Sequence, residues 1–160
     1  MKYNLSEITE LIRSRRTIFP EQYSSRKVHK EQIELIINNA LWAPNHGNTQ
    51  PWRFHVFTDS GLQKLSDFFG KTYLEVTPKE AQNDMKLAKL VSRPLRSSVV
   101  IAVSMVRQPE SKIMELEEIE AVACAIQNMW LAARAEGLGM GWVSLFDPDA
   151  LARLLNMPDG

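Results

Sequence analysis

Apolar residues recur at helical spacing from the start of the chain. Leu5, Ile8, Leu11 and Ile12 follow Asn4, a residue type that caps helix N-termini, so a short amphipathic helix is expected to run to about residue 15. A second helix is expected over about residues 30–42, with Ile33, Ile36, Ile37, Ala40 and Leu41 on its inner face and Pro44 stopping it. The period then changes. Residues 53–58 alternate Phe54 and Val56 with His55 and Phe57, a strand with apolar side chains on both faces, as in the centre of a sheet. Residues 98–105 read as a second buried strand, and residues 141–146 as a third strand or an extended segment beside the sheet. Between the first two strands, residues 60–63 and 77–80 each place a hydroxyl three residues ahead of Gln or Glu, which predicts two helix starts. The second of these helices carries Lys86, Lys89, Arg93 and Arg96, a basic stripe read as a solvated face. The longest helix is expected over about residues 114–136, with Ala121, Ala125 and Ala132 permitting close packing and Gly137 closing it. Asp147 and Pro148 open a last helix. Helices outnumber strands and hairpin signals are absent. The pattern therefore predicts an α+β fold, a sheet with helices packed around it, in one domain over residues 1–160.

Composition narrows the functional classes. Apolar residues make up 44% of the 160 positions and charged residues 24%, ordinary values for a globular protein. Lys plus Arg and Asp plus Glu number 19 each, so no net positive field draws the chain to nucleic acid. The first residues lack the apolar run of a secretory signal, and no window approaches the roughly 18 apolar residues of a membrane span, so a cytoplasmic protein is expected. The single cysteine, Cys124, has no intramolecular partner and is expected as a small core residue of the long helix. His29, His46 and His55 show no metal-ligand spacing, and no metal site is expected. Gly70, Lys71 and Thr72 resemble the end of a phosphate loop, but Leu65 stands where its first glycine belongs. Gly137, Gly139 and Gly141 close a helix and open an extended segment, the reverse of a dinucleotide-binding turn.

Three clusters carry chemistry. Ser14, Arg15, Arg16 and Thr17 combine fork-shaped cationic donors with hydroxyls, a set suited to phosphate, although cations also end helices simply to complement the dipole. The loop over residues 43–52 is long for a helix-to-strand connection. It presents His46, Asn48, Thr49 and Gln50 between Pro44 and Pro51, beside the flat faces of Trp42 and Trp52. The segment from Gly137 into Trp142, Val143 and Ser144 lets backbone approach a flat ligand closely. Together these describe a ligand with a phosphate, a hydrogen-bonding edge and an aromatic plane, which is a flavin mononucleotide.

The ordered set of Ile12 to Thr17, Ala43 and Pro44, Gln50 to Phe54, and Gly137 to Gly139 resembles the nitroreductase family of FMN-dependent oxidoreductases, over nearly the whole chain. The small single-domain members are the nearest match, because their loops also carry a histidine two residues after the Ala-Pro pair. The resemblance implies an α+β fold with a central, mainly antiparallel sheet surrounded by helices, and an intertwined homodimer with two FMN sites at its interface. One subunit would give the Arg-Arg-Thr cluster and the segment after the glycines, and its neighbour the Ala-Pro loop. Arg15, Arg16 and Thr17 would then hold the phosphate and ring edge, and Trp42 and His46 would reach in from the partner, with Asn48 and Gln50 on the same loop. Trp142, Val143 and Ser144 would line the isoalloxazine through backbone groups. The family runs a ping-pong cycle in which NADH or NADPH gives hydride to the flavin and is replaced by a nitroaromatic, quinone or similar small acceptor. No side-chain acid or base is needed for that step, so no catalytic residue is named.

Two departures from the family pattern matter. Residues 132–144, with Asp147 and Pro148, are similar to the oxygen-dependent, flavin-fragmenting dimethylbenzimidazole synthase branch. That branch has an aspartate where Thr17 stands and lacks His46. The second departure is the ending: the dimer-crossing strand that family members carry after this point is missing from the 160 residues. The synthase and a non-catalytic flavin-binding module are therefore the alternatives to a reductase.

Overall fold

The computed structural model describes residues 3–107, 112–144 and 146–157. The chain divides into two compact units, one of Met1–Phe19, Val28–Phe54 and Val103–Trp142, the other of Pro20–Lys27, His55–Ala102 and Val143–Gly160. Helices dominate both. The elements are α1 (Leu5–Ser14), α2 (Lys30–Ala40), β1 (Trp52–Phe57), α3 (Ser60–Val76), α4 (Asp84–Leu95), β2 (Val100–Met105), α5 (Glu115–Ala135) and α6 (Pro148–Leu154), with short 3-10 turns at Pro20–Gln22, His46–Asn48 and Lys79–Ala81. β1 and β2 pair with each other. Just past the end of β2, the Val106 N–H donates to the carbonyl of Pro51, just before the start of β1, at 2.8 Å. The strands therefore run antiparallel.

In the first unit the core lies between α2 and α5. Gln32 donates to Glu136 at 3.4 Å and Asn128 donates to the Asn39 carbonyl at 3.5 Å, so the start of α2 lies beside the end of α5 and the two helices are antiparallel. Ile33, Ile36 and Ala40 supply the buried face of α2. Ala121, Ala125, Met129 and Ala133 recur at four-residue spacing on α5, and the small size of the three alanines lets the helices approach closely. Met129 is the large apolar side chain buried most completely here, and cutting it to alanine is expected to cost about 2–5 kcal/mol. A Schellman motif ends α5. Gly137 takes φ +72°, its N–H bonds the Arg134 carbonyl at 3.1 Å, and the Leu138 N–H bonds the Ala133 carbonyl at 2.8 Å.

The second unit is built around α3 and α4. Gly70 sits where a Cβ would come within 2.9 Å of Val91 Cγ1, so this glycine serves close helix packing rather than a phosphate loop. Ser66 Oγ donates to the Val91 carbonyl at 2.6 Å, and the Asn83 N–H donates to the Tyr73 hydroxyl at 2.9 Å, which ties the start of α4 to α3. Among the described residues no helix is long and apolar enough to cross a membrane.

Several sequence expectations are met in detail. Asn4 caps α1 by accepting from the Ser6 N–H at 3.0 Å, and Asp147 caps α6 by accepting from the Ala150 N–H at 3.0 Å. Others are corrected. α3 is entered through Asp59, at φ +44°, and the Ser60 capping box does not form because Gln63 turns to Asp67 at 2.8 Å. Residues 77–80 lead only into a 3-10 turn, and α4 begins later, where Asn83 accepts from the Lys86 N–H at 3.0 Å. Among the described residues β1 pairs only with β2 and leaves Val56 exposed, so it stands there as one of two strands rather than as a central one. Residues 141–144 take no strand pairing, and Leu145 lies outside the described residues. Cys124 is exposed, because it falls off the stripe of α5 that meets α2. Leu41 is likewise exposed, since α2 ends at Ala40.

Candidate functional site

The Arg15 cluster and the glycine-rich segment meet in the structure. The Ile18 N–H donates to the Met140 carbonyl at 3.1 Å, and a Cβ on Gly141 would stand 3.3 Å from Thr17 Cγ2 and 3.4 Å from the Ile18 carbonyl. Glycine eases the close approach of the two segments there, since a side chain would press on Thr17. α1 ends at Ser14, and Arg15 leaves the helix in an extended conformation. Its guanidinium lies over the ring of Trp130, 4.3 Å from the centroid, a cation–π contact worth about 0.5–2 kcal/mol. Beside it, Arg134 Nε donates to Ser14 Oγ at 3.2 Å. Arg16 and Thr17 are exposed. Among the described residues, Arg15, Arg16 and Arg134 have no carboxylate within ion-pair distance. The end of α1 therefore carries positive charge that no described residue pairs.

The loop after α2 is held by its own side chains. Asn45 Oδ1 accepts from the Gln50 N–H at 3.0 Å, Gln50 Nε2 donates to Asn48 Oδ1 at 3.3 Å, and Arg53 Nη1 donates to the Gln50 carbonyl at 3.0 Å. Gly47, Asn48 and Gln50 all have positive φ, at 60°, 54° and 44°. Such a conformation persists only where neighbours over-determine it. His46 supplies one such anchor, with Nδ1 3.0 Å from Glu117 Oε2 on α5. Asn48 and Gln50 thus spend part of their hydrogen-bonding capacity inside the loop and, among the described residues, keep the Asn48 side-chain Nδ2 and the Gln50 side-chain Oε1. Trp42 is 86% exposed, an unusual state for so large an apolar side chain.

The loop and the cationic cluster lie at opposite ends of α5. His46 meets it at Glu117 and Arg15 meets it at Trp130; these positions are 13 residues apart on one helix, about 20 Å at 1.5 Å per residue. The chain thus brings Thr17 and Ile18 together with Met140 and Gly141, and Ser14 and Arg15 together with Arg134 and Trp130, and keeps the His46 loop apart from them. Trp142 directly follows Gly141 and is exposed; Val143 and Ser144 begin the segment of the second unit and are exposed as well. Glu117 and Arg134 were not singled out from the sequence. The signal for Arg134 was its position four residues after Trp130, on the same helical face; nothing in the local sequence marks Glu117 as the partner of His46.

The sequence profile of the nitroreductase family matches residues 12–160. The chain is 32% identical over 147 residues to a 5,6-dimethylbenzimidazole synthase of Rhodospirillum rubrum, covering 82% of this chain and 66% of that one. It therefore spans slightly less than two thirds of that relative. It is 29% identical over 160 residues to a candidate NADH dehydrogenase/NAD(P)H nitroreductase of Archaeoglobus fulgidus, covering 97% of this chain and 79% of the relative. A solved structure of a candidate nitroreductase from Desulfovibrio desulfuricans, in complex with FMN, superposes with a TM-score of 0.71 at 26% identity, over 98% of this chain and 79% of that one. With the profile match extending from Ile12 to the last residue, the chain belongs to the nitroreductase family of oxidoreductases.

Proposed function

We propose that the protein is an FMN-dependent oxidoreductase that oxidises NADH or NADPH and reduces nitroaromatics, quinones or similar small acceptors, with FMN bound between two copies of the chain. The observation that carries this reading is the pair Arg15 and Arg16, which have no ion-pair partner among the described residues and lead into Thr17 and Ile18, the residues that pack against Met140 and Gly141. A phosphate monoester supplies the negative charge that these guanidinium groups lack among the described residues. The FMN complex of the Desulfovibrio relative supports the same cofactor.

Arg15, Arg16 and Thr17 hold the phosphate and ring edge, and Trp142, Val143 and Ser144 line the ring through backbone groups. Trp42 and His46, with Asn48 and Gln50 on the same loop, come from the partner subunit. Two observations support a partner. The loop and the Arg cluster of one chain are about 20 Å apart along α5, more than one small site spans comfortably. α1 buries no residue although Leu5, Ile8 and Ile12 form an apolar face, which a second copy would cover. When bound, FMN supplies the hydride chemistry. The chain binds and orients it, and Trp42 screens the site from water.

A second reading, the oxygen-dependent dimethylbenzimidazole synthase, is favoured by the identity to the Rhodospirillum enzyme. Thr17 and His46 favour the reductase. The test is reconstitution with FMN followed by NADH or NADPH without oxygen. Bleaching of the visible flavin band, and its return on adding a nitroaromatic or quinone, is the result expected of the reductase. Benzimidazole formed from reduced FMN and oxygen would overturn it in favour of the synthase, and bound FMN that neither nucleotide bleaches would indicate a binding module.

A further inference from the structure

We propose that Arg134, on the last turn of α5, is a third cation of the anion site and contacts the phosphate directly while its Nε–H fixes Ser14. This rests on the FMN reading above and adds a residue to it. Arg134 reaches Ser14, the residue before Arg15, at 3.2 Å. Arg15 in turn lies over Trp130, one helical turn earlier on the same helix. Trp130 and Arg134 are thus neighbours on one face of α5, and both meet the end of α1. Nε is the only nitrogen of Arg134 that has a partner among the described residues. Glu136, two residues further on, accepts instead from Gln32.

The competing explanation is that Arg134 merely caps a helix end. The backbone argues against it. The carbonyls of Ala132, Ala133 and Arg134 are already bonded by the N–H groups of Glu136, Leu138 and Gly137, and Arg134 donates to Ser14 of α1 rather than to a carbonyl at the end of its own helix. Charge argues the same way: Arg15, Arg16 and Arg134 have no carboxylate within ion-pair distance among the described residues, and a phosphate monoester brings about −1.5 to −2.

The experiment compares wild type, Arg134→Ala and Arg134→Lys with three probes: FMN, riboflavin, which lacks the phosphate, and inorganic phosphate. FMN and riboflavin are titrated by quenching of flavin fluorescence, and inorganic phosphate is read by the shift of the melting temperature. Arg134→Ala is expected to weaken FMN about 10- to 100-fold, the loss of a charge-assisted contact, with riboflavin unchanged within about two-fold. It is also expected to abolish the stabilisation by phosphate. Arg134→Lys should recover part of both effects, since it keeps the charge without the fork. FMN and riboflavin weakened in parallel would overturn the proposal, because Arg134 would then act only through the fold. Unchanged FMN binding would overturn it as well. If wild type takes up no flavin but is stabilised by phosphate through Arg134, the anion site stands and the flavin reading falls; if phosphate also has no effect, both fall.

Discussion

His46 Nδ1 lies 3.0 Å from Glu117 Oε2, a contact that joins the loop after α2 to the first turn of α5. An ionised carboxylate only accepts hydrogen bonds, so the Nδ1 atom carries the proton and Nε2 is the nitrogen left for a ligand. Both side chains are partly exposed, so the pair contributes at most about 1 kcal/mol to stability. Glu117→Ala is expected to leave the urea midpoint almost unchanged while the His46 ring nitrogens shift toward the other tautomer in 15N spectra of the cofactor-free protein. Unaltered nitrogen shifts would show that Glu117 does not set the tautomer.

Gly47 supports the same loop by a different means. Its φ is +60°, and a Cβ there would come within 2.6 Å of Ile113 Cδ1. Gly47→Ala should therefore destabilise by about 1–2 kcal/mol from the left-handed backbone alone, plus the clash. Shortening Ile113 to alanine in the same chain relieves only the clash. Chemical denaturation of the single and double variants is expected to show partial recovery; full recovery would mean that backbone strain at Gly47 is negligible.

Glu118 is 1% exposed and pairs with Arg107 Nη1 at 3.2 Å, while its Oε1 has no partner among the described residues. Removing the arginine strands a buried charge, so Arg107→Ala should cost about 3–5 kcal/mol, whereas replacing both residues with apolar ones of similar volume should recover most of that loss. Denaturation midpoints of the three proteins check this. An Arg107→Ala variant as stable as wild type would contradict it.

Tyr23 gives the pH dependence a direction. Burial, assisted by the negative charge of Glu21, raises its hydroxyl above the ordinary value of 10.0. The neutral form is the one the fold favours. Its contribution is fully present below the unfolded value and is lost as pH rises through the folded one. Relative to Tyr23→Phe, wild type should lose stability more steeply above about pH 10, where the unfolded phenol ionises first. Parallel stability profiles across that range would count against it.

The parts of the fold set by adjacent residues were legible in the sequence. Asn4, Asp147 and Gly137 act within a turn of where they stand, and each does what its type suggests. Ser60 and Thr77 also have the right spacing, but Asp59 and Asn83 take the cap positions, a competition that local pattern does not resolve. Periodicity identified the apolar faces without saying what covers them: Leu41, Trp42 and Cys124 all stand exposed in a single chain. In the site, Arg15, Thr17 and Gly141 could be singled out by residue type and order. Glu117 and Arg134 depend on which turns of α5 face the loop and α1, which is a matter of tertiary register.

The claim that the flavin site is shared between two chains is tested most directly by mixing subunits. One variant carries Arg15→Ala and Arg16→Ala, the other Trp42→Ala and His46→Ala, and their heterodimer is isolated through two different affinity tags. Each parent homodimer is expected to retain no FMN, because every one of its sites lacks one half. The heterodimer combines the intact cluster of one subunit with the intact loop of the other, so it is predicted to retain one FMN per dimer. A heterodimer that retains none would contradict the account, since that is the result if each chain builds its site alone.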